Sequence, residues 1–175
     1  GNVIRRYYSD GTDLSYTYDD NSRLVTANSL SLAYDSRGYI TSSNGLTITR
    51  DDTGRISTIT FASGKTVSYS YNTRGLVSQI SDWAGGTTNL TYGDLGRLSS
   101  LVRPNGVTTN YNYDKDGRLI GISEQGSGSL SSIALSRDGT GKITSANRNI
   151  PLMPDLTAST QTFSYNKASQ ISGYS

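Results

Sequence analysis

A turn motif that returns at measured intervals constrains this chain more than any other feature in it. Residues 111–120 read Tyr-Asn-Tyr-Asp-Lys-Asp-Gly-Arg-Leu-Ile, which is a β-hairpin written in sequence. Tyr111 and Tyr113 are two apart, so on an extended strand they share a face. Asp114 can bond the backbone two residues on and start a turn. Gly117 supplies the positive φ that closes a type I turn with a bulge. Arg118, Leu119 and Ile120 then begin the returning strand.

Anchored on the second aromatic, the motif recurs at Tyr18, Tyr34, Arg50, Tyr71, Tyr92, Tyr113, Arg137 and Tyr165, with spacings of 16, 16, 21, 21, 21, 24 and 28. A fixed interval over the middle of a chain marks a repeat architecture. The columns agree. One residue after the anchor stand Asp19, Asp35, Asp51, Asn72, Gly93, Asp114, Asp138 and Asn166. Four after it stand Ser22, Gly38, Gly54, Gly75, Gly96, Gly117, Gly141 and Ser169. Six after it the residue is aliphatic in every copy, from Leu24 to Ile171, and the position before that is often basic: Arg23, Arg55, Arg97, Arg118 and Lys142. Between copies lies a second turn signal at Asp10-Gly11, Asn44-Gly45, Ser63-Gly64, Gly85-Gly86 and Asn105-Gly106. Two-residue turns of this kind favour the primed hairpin types. One repeat is thus two strands and two turns, about 21 residues, with strands of roughly 7–8 residues.

These patterns predict an all-β fold: a single antiparallel array of about eight hairpins over residues 1–175, forming a curved or spiralling open sheet. Gly1-Asn2-Val3 aligns with Gly96-Arg97-Leu98, so the chain reads as a segment excised from a longer array. Gly126-Ser127-Gly128-Ser129 reads as a flexible loop. Residues 148–162 read as an irregular insertion that leaves the sheet, because Pro151 and Pro154 cannot donate to a central ladder. Four-stranded propeller blades are the rival architecture, since two repeats have the size of one blade. The irregular spacings suit a spiral better.

Composition narrows the function. Only 33% of the 175 residues are hydrophobic, yet 13 tyrosines and the strict spacing of the turns argue against disorder. A thin sheet fits, with tyrosine on one face and small polar residues such as Thr17, Ala33, Ser70, Thr91, Asn112 and Ser164 on the other. The chain has no cysteine and no histidine, which removes thiol chemistry, the usual general base and the commonest zinc ligand. No apolar run has the length of a membrane span. A net charge of +2 without a basic stripe speaks against nucleic acid. Glu124, Asp51-Asp52 and Asp114-x-Asp116 are the only hints of a carboxylate site, and turn acids explain them better. The expectation is no enzyme, no cofactor and no metal. The repeat tyrosines Tyr18, Tyr34, Tyr71, Tyr92, Tyr113 and Tyr165 pack, while Gly38, Gly54, Gly75, Gly96, Gly117 and Gly141 turn the chain. Trp83, the single tryptophan, sits beside Gly85-Gly86 on an expected hairpin tip, either as a stacking platform for carbohydrate or as a residue shielding the sheet edge. Unpaired edge strands invite self-association.

Tyr113-Asp114-x-x-Gly117-Arg118-Leu119, with weaker copies on both sides, resembles the YD repeat of the Rhs/YD-repeat family. That family comprises bacterial Rhs and wall-associated toxins, the B and C components of insecticidal Tc toxins, and animal teneurins. The resemblance implies a sheet of successive hairpins that spirals into a hollow shell. In bacterial members the shell often encloses a toxin domain and is secreted or displayed on the cell surface. The partners it implies are the remaining repeats and the toxin cargo of the parent protein. Neither an Rhs-associated core nor a toxin domain is recognisable here, and eight repeats are few for closing a cocoon. The leading reading is a structural wall segment; a carbohydrate- or cell-wall-binding module is the alternative.

Overall fold

The computed structural model describes residues 1–152 and 159–175. Among them are seventeen strands and no helix, hence no helix long and apolar enough to cross a membrane. Contacts divide the chain into two compact units, residues 1–70 with 80–85, and residues 71–79 with 86–175.

The first unit contains β1 (Arg5–Tyr7), β2 (Asp13–Tyr18), β3 (Leu24–Ala27), β4 (Leu30–Tyr34), β5 (Ile40–Ser43), β6 (Leu46–Arg50), β7 (Ile56–Ala62) and most of β8 (Lys65–Tyr71). Each pairs antiparallel with the next in sequence. Eight strands in unbroken succession exclude four-stranded blades. The second unit contains most of β9 (Val77–Ser81), then β10 (Thr87–Tyr92), β11 (Leu98–Val102), β12 (Thr108–Tyr113), β13 (Leu119–Gln125), β14 (Ser129–Arg137), β15 (Ile143–Asn149), β16 (Ser159–Tyr165) and β17 (Ile171–Tyr174). From β10 onward the succession is again antiparallel and sequential. No described pairing joins the first strand of a unit to its last, so each is an open sheet.

Every anchor is the last residue of a strand, and at Tyr18, Tyr34, Arg50, Tyr92, Tyr113, Arg137 and Tyr165 the pairing slips by one residue. That slip is the bulge of a five-residue turn. In the Asp114 turn, Asp114 N–H donates to Arg118 O and Gly117 N–H donates to Asp114 O, both at 2.9 Å. All eight residues four after an anchor have positive φ, including the two serines, Ser22 at 60° and Ser169 at 63°.

Several expectations need correction. Asn44 and Gly45 both have positive φ, as a type I′ turn requires. The turns at Gly11 and Gly106 are instead the same five-residue form as the Asp114 turn, with Tyr8 N–H donating to Thr12 O and Arg103 N–H to Val107 O. Because the turns take more residues, most strands are shorter than expected, and β3 and β5 have only four residues. The 126–129 segment is a tight connection in which Gly126 N–H donates to Gly128 O, and Ser129 is already in β14. The expected 148–162 excursion does not hold at either end of that span. Arg148 pairs with Ser159 and Ser145 with Thr162 in the ladder. Residues 153–158, which include Pro154, lie outside the described residues.

No hydrophobic side chain among the described residues is fully buried, and Thr109 is the one buried polar residue. A single layer has two wet faces, so cross-strand pairs replace a core. On the face away from the tyrosines these pairs are hydroxyls: Thr17 with Thr26 and Thr49 with Thr58, each at 2.6 Å.

Candidate functional site: the seam between successive hairpins

The repeated columns meet in space along the seam where one hairpin lies against the next. The aspartate after the anchor is used twice. Asp114 Oδ1 accepts from the amides of Asp116 (3.0 Å) and Arg118 (2.8 Å), and its Oδ2 accepts from Arg118 Nε at 2.8 Å. Asp19 with Arg23 and Asp51 with Arg55 repeat this geometry. Donors aimed at a carboxylate favour its charged form. Asp114 and Asp19 are accordingly held below the usual carboxylate range, chiefly by the amides of Arg118 and Arg23. Asp51 is lowered to about 2, first by the Thr53 hydroxyl and then by Arg55.

The anchor side chain reaches back to the preceding hairpin. Its hydroxyl donates to the carbonyl of the aliphatic residue six after the previous anchor: Tyr34 to Leu24 O at 2.8 Å, Tyr92 to Val77 O at 2.7 Å and Tyr113 to Leu98 O at 3.0 Å. Tyr18 donates in the same way to Val3 O at 2.9 Å. Arg137 does the same work at its anchor position, donating from Nη2 to Leu119 O at 3.0 Å. Sequence alone cannot reveal this bond, because its acceptor is backbone.

The residue five after an anchor leans forward onto the next copy. Arg23 lies over the Tyr34 ring at 4.7 Å, Arg97 over Tyr113 at 5.9 Å and Lys142 over Tyr165 at 5.5 Å. Side chains at this position also cover the glycine of the next turn. A Cβ at Gly117 would overlap the Arg97 guanidinium, one at Gly141 would overlap Arg118, and one at Gly96 would touch Leu76 at 3.7 Å. The glycine column therefore does two jobs. It admits positive φ, and it leaves a socket for the preceding hairpin's side chain; only the first was legible in sequence.

Tyr71 ends β8 and Gly75 has φ of 77°. Glu124 sits in the tyrosine-face row, where Oε1 accepts from Arg103 Nη2 (3.1 Å) and Thr109 Oγ1 (3.2 Å) and Oε2 from Ser131 Oγ (3.3 Å). Asp116 pairs with Arg118. These carboxylates are occupied by structural partners, and no cluster of three or more acidic side chains among the described residues could hold a metal. Trp83, half-exposed, meets the equally exposed Phe61 edge to face, with ring centroids 5.9 Å apart and planes at 61°.

The sequence matches the teneurin YD-shell family over residues 2–129. The chain belongs to the YD-shell family. Among curated protein sequences none matches it. Of solved structures, the Photorhabdus luminescens Tc holotoxin pore is similar with a TM-score of 0.67 at 16% identity, over 96% of this chain and 12% of that one. The TcdB2–TccC3–Cdc42 complex is similar with a TM-score of 0.53 at 14% identity, over the same shares. At that identity the likeness is one of fold. This YD-shell chain spans 12% of the structures it matches. It has the fold of a YD-shell scaffold, and in this chain the seam is the contact that joins successive hairpins.

Proposed function

We propose that this YD-shell segment is a piece of wall in a secreted or surface-displayed protein whose shell encloses a toxin domain and helps deliver it. The supporting observation is the seam itself. The anchor bonds the preceding hairpin, the cation leans onto the next, the glycine leaves room for it and the aspartate holds the turn that presents it, which is what a wall needs. Its partners are then the neighbouring repeats and the enclosed cargo. Protease protection tests enclosure. In the parent protein, the segment following the repeats should resist trypsin while the shell is intact. Digestion at the rate of that segment in isolation would end the enclosure reading and leave the scaffold untouched.

The exposed Phe61–Trp83 pair supports a second reading, a stacking surface for carbohydrate. Tryptophan fluorescence titrated with glycans tests it, and no shift at millimolar sugar removes it. Self-association through edge strands is read by sedimentation, where a concentration-independent monomer excludes it.

A further inference from the structure

One seam carries its two partners in reverse. In most copies the cation comes five after an anchor and the ring is the next anchor, as in Arg23 with Tyr34 and Arg97 with Tyr113. Between β5 and β6 the order is exchanged: Tyr39 stands five after Tyr34, and Arg50 is the next anchor. The contact survives the exchange. Arg50 lies over the Tyr39 ring at 4.7 Å, as close as Arg23 lies to Tyr34. Tyr39 also fills the glycine socket, its hydroxyl 3.1 Å from where a Cβ of Gly54 would stand. Arg50 Nη1 donates to Gly54 O at 3.1 Å, while its Nε is buried without a partner. Arg37, at 5.3 Å, lies over the same ring.

The contrasting seam is that of Arg118 and Arg137, where both members are cations. There Arg118 is held by Asp114 and Asp116. Arg137 turns instead to the carbonyls of Leu119 and Gly141. Two carboxylates hold one cation, backbone carbonyls hold the other, and no ring is involved.

We infer that Tyr39 and Arg50 are a transposed matched pair, and that ring against cation, whichever hairpin supplies which, is the rule of this seam as it is of the seams at Arg23 and Arg97. A ring face attracts a cation through its quadrupole, whichever strand carries which partner. Two cations repel, and two rings leave the seam without its cation. The inference rests on the fold and not on enclosure of a cargo, so a failed protection assay leaves it standing.

The test is a double-mutant cycle on the full 175-residue chain, read by thermal melting. Tyr39→Arg sets two cations face to face, and Arg50→Tyr sets two rings. Each should lower Tm by about 2–4 °C, while Y39R/R50Y, which restores the order seen at Arg23 and Tyr34, should return to within about 1 °C of the parent. A double variant that falls by the sum of the singles overturns the rule. Should Tyr39→Arg fail to fold, the conservative pair decides: Tyr39→Phe and Arg50→Lys keep a ring and a cation and should melt near the parent. A loss from either as large as that of Arg50→Tyr overturns the rule. Arg137→Tyr extends the test, because it gives Arg118 a ring. It should raise Tm, and a fall counts against the inference.

Discussion

The narrow hairpins of β3 to β6 and the wide ones of β10 to β13 solve one problem with different amounts of chain. With 16 residues between anchors, β3 and β4 share two ladder pairs, as do β5 and β6. With 21 between anchors, the equivalent strands β11 and β12 share three. The narrow copies compensate at their tips. Asn28, with φ of 50°, donates its amide to Ser15 O at 3.0 Å and accepts from Ser15 N–H on Oδ1 at 2.8 Å. Asn44 repeats this with Ser31 at 2.9 and 2.7 Å. The side chain thus adds a rung to the ladder after the backbone has begun to turn. In the wide copies the extra row is filled by the Arg103, Thr109, Glu124 and Ser131 network. Length between anchors sets how many rungs a hairpin has, while the seam geometry stays constant: Tyr34 and Tyr113 reach the same carbonyl position.

The largest effect that would break this comparison is expected at the wide seam. Gly106 and Gly117 both have positive φ, but only Gly117 receives a side chain from the preceding hairpin. Gly106→Ala should cost about 1–2 kcal/mol for the left-handed backbone. Gly117→Ala should cost clearly more in urea denaturation, because Arg97 must also leave its socket. Equal losses would mean the socket contributes nothing. At the narrow tip, Asn28→Ala should destabilise by about 1–2 kcal/mol, combining the lost amide bond with a left-handed alanine. Asn105→Ala, on a tip where the side chain bonds only the Val107 amide, should cost less. Matching melting points would show that the extra rung is not what the narrow copies rely on.

Smaller again, Tyr113→Phe removes the hydroxyl bond to Leu98 O while keeping the ring under Arg97, for a loss of about 0.5–1.5 kcal/mol. Tyr34→Phe should match it if the seam is the same in both widths. The smallest change near neutrality is expected from pH. Asp19, Asp51 and Asp114 have lowered folded-state pKa values, so their stabilisation is complete above the unfolded value of about 4 and is lost as pH falls through the folded values, which for Asp51 lies at about 2. Melting temperature should be flat from pH 7 to about 5 and fall below about 4, with Asp51→Asn flattening part of the fall. A drop beginning near pH 6 would point to other groups.

Much of this could be read before any coordinates. Strand and turn alternation is local: an aspartate that caps its own turn and a left-handed residue four after the anchor depend on neighbours within five positions, so the repeat columns carry them directly. The basic column at Arg23, Arg97 and Lys142 was visible too, but without a purpose. The tips were legible less well, because Asp-Gly and Asn-Gly suit both two-residue and five-residue turns, and only the pairing of the flanking strands chooses between them.

Local chemistry along the chain was enough to specify hairpins, their faces and their order. It could not say that Tyr113 bonds Leu98 O, that Arg97 occupies the Gly117 turn, or that Tyr39 and Arg50 exchange roles. Those contacts join residues 11 to 20 positions apart across two hairpins. They exist only once the bulge has set the register of one strand against the next, and register belongs to the packed sheet.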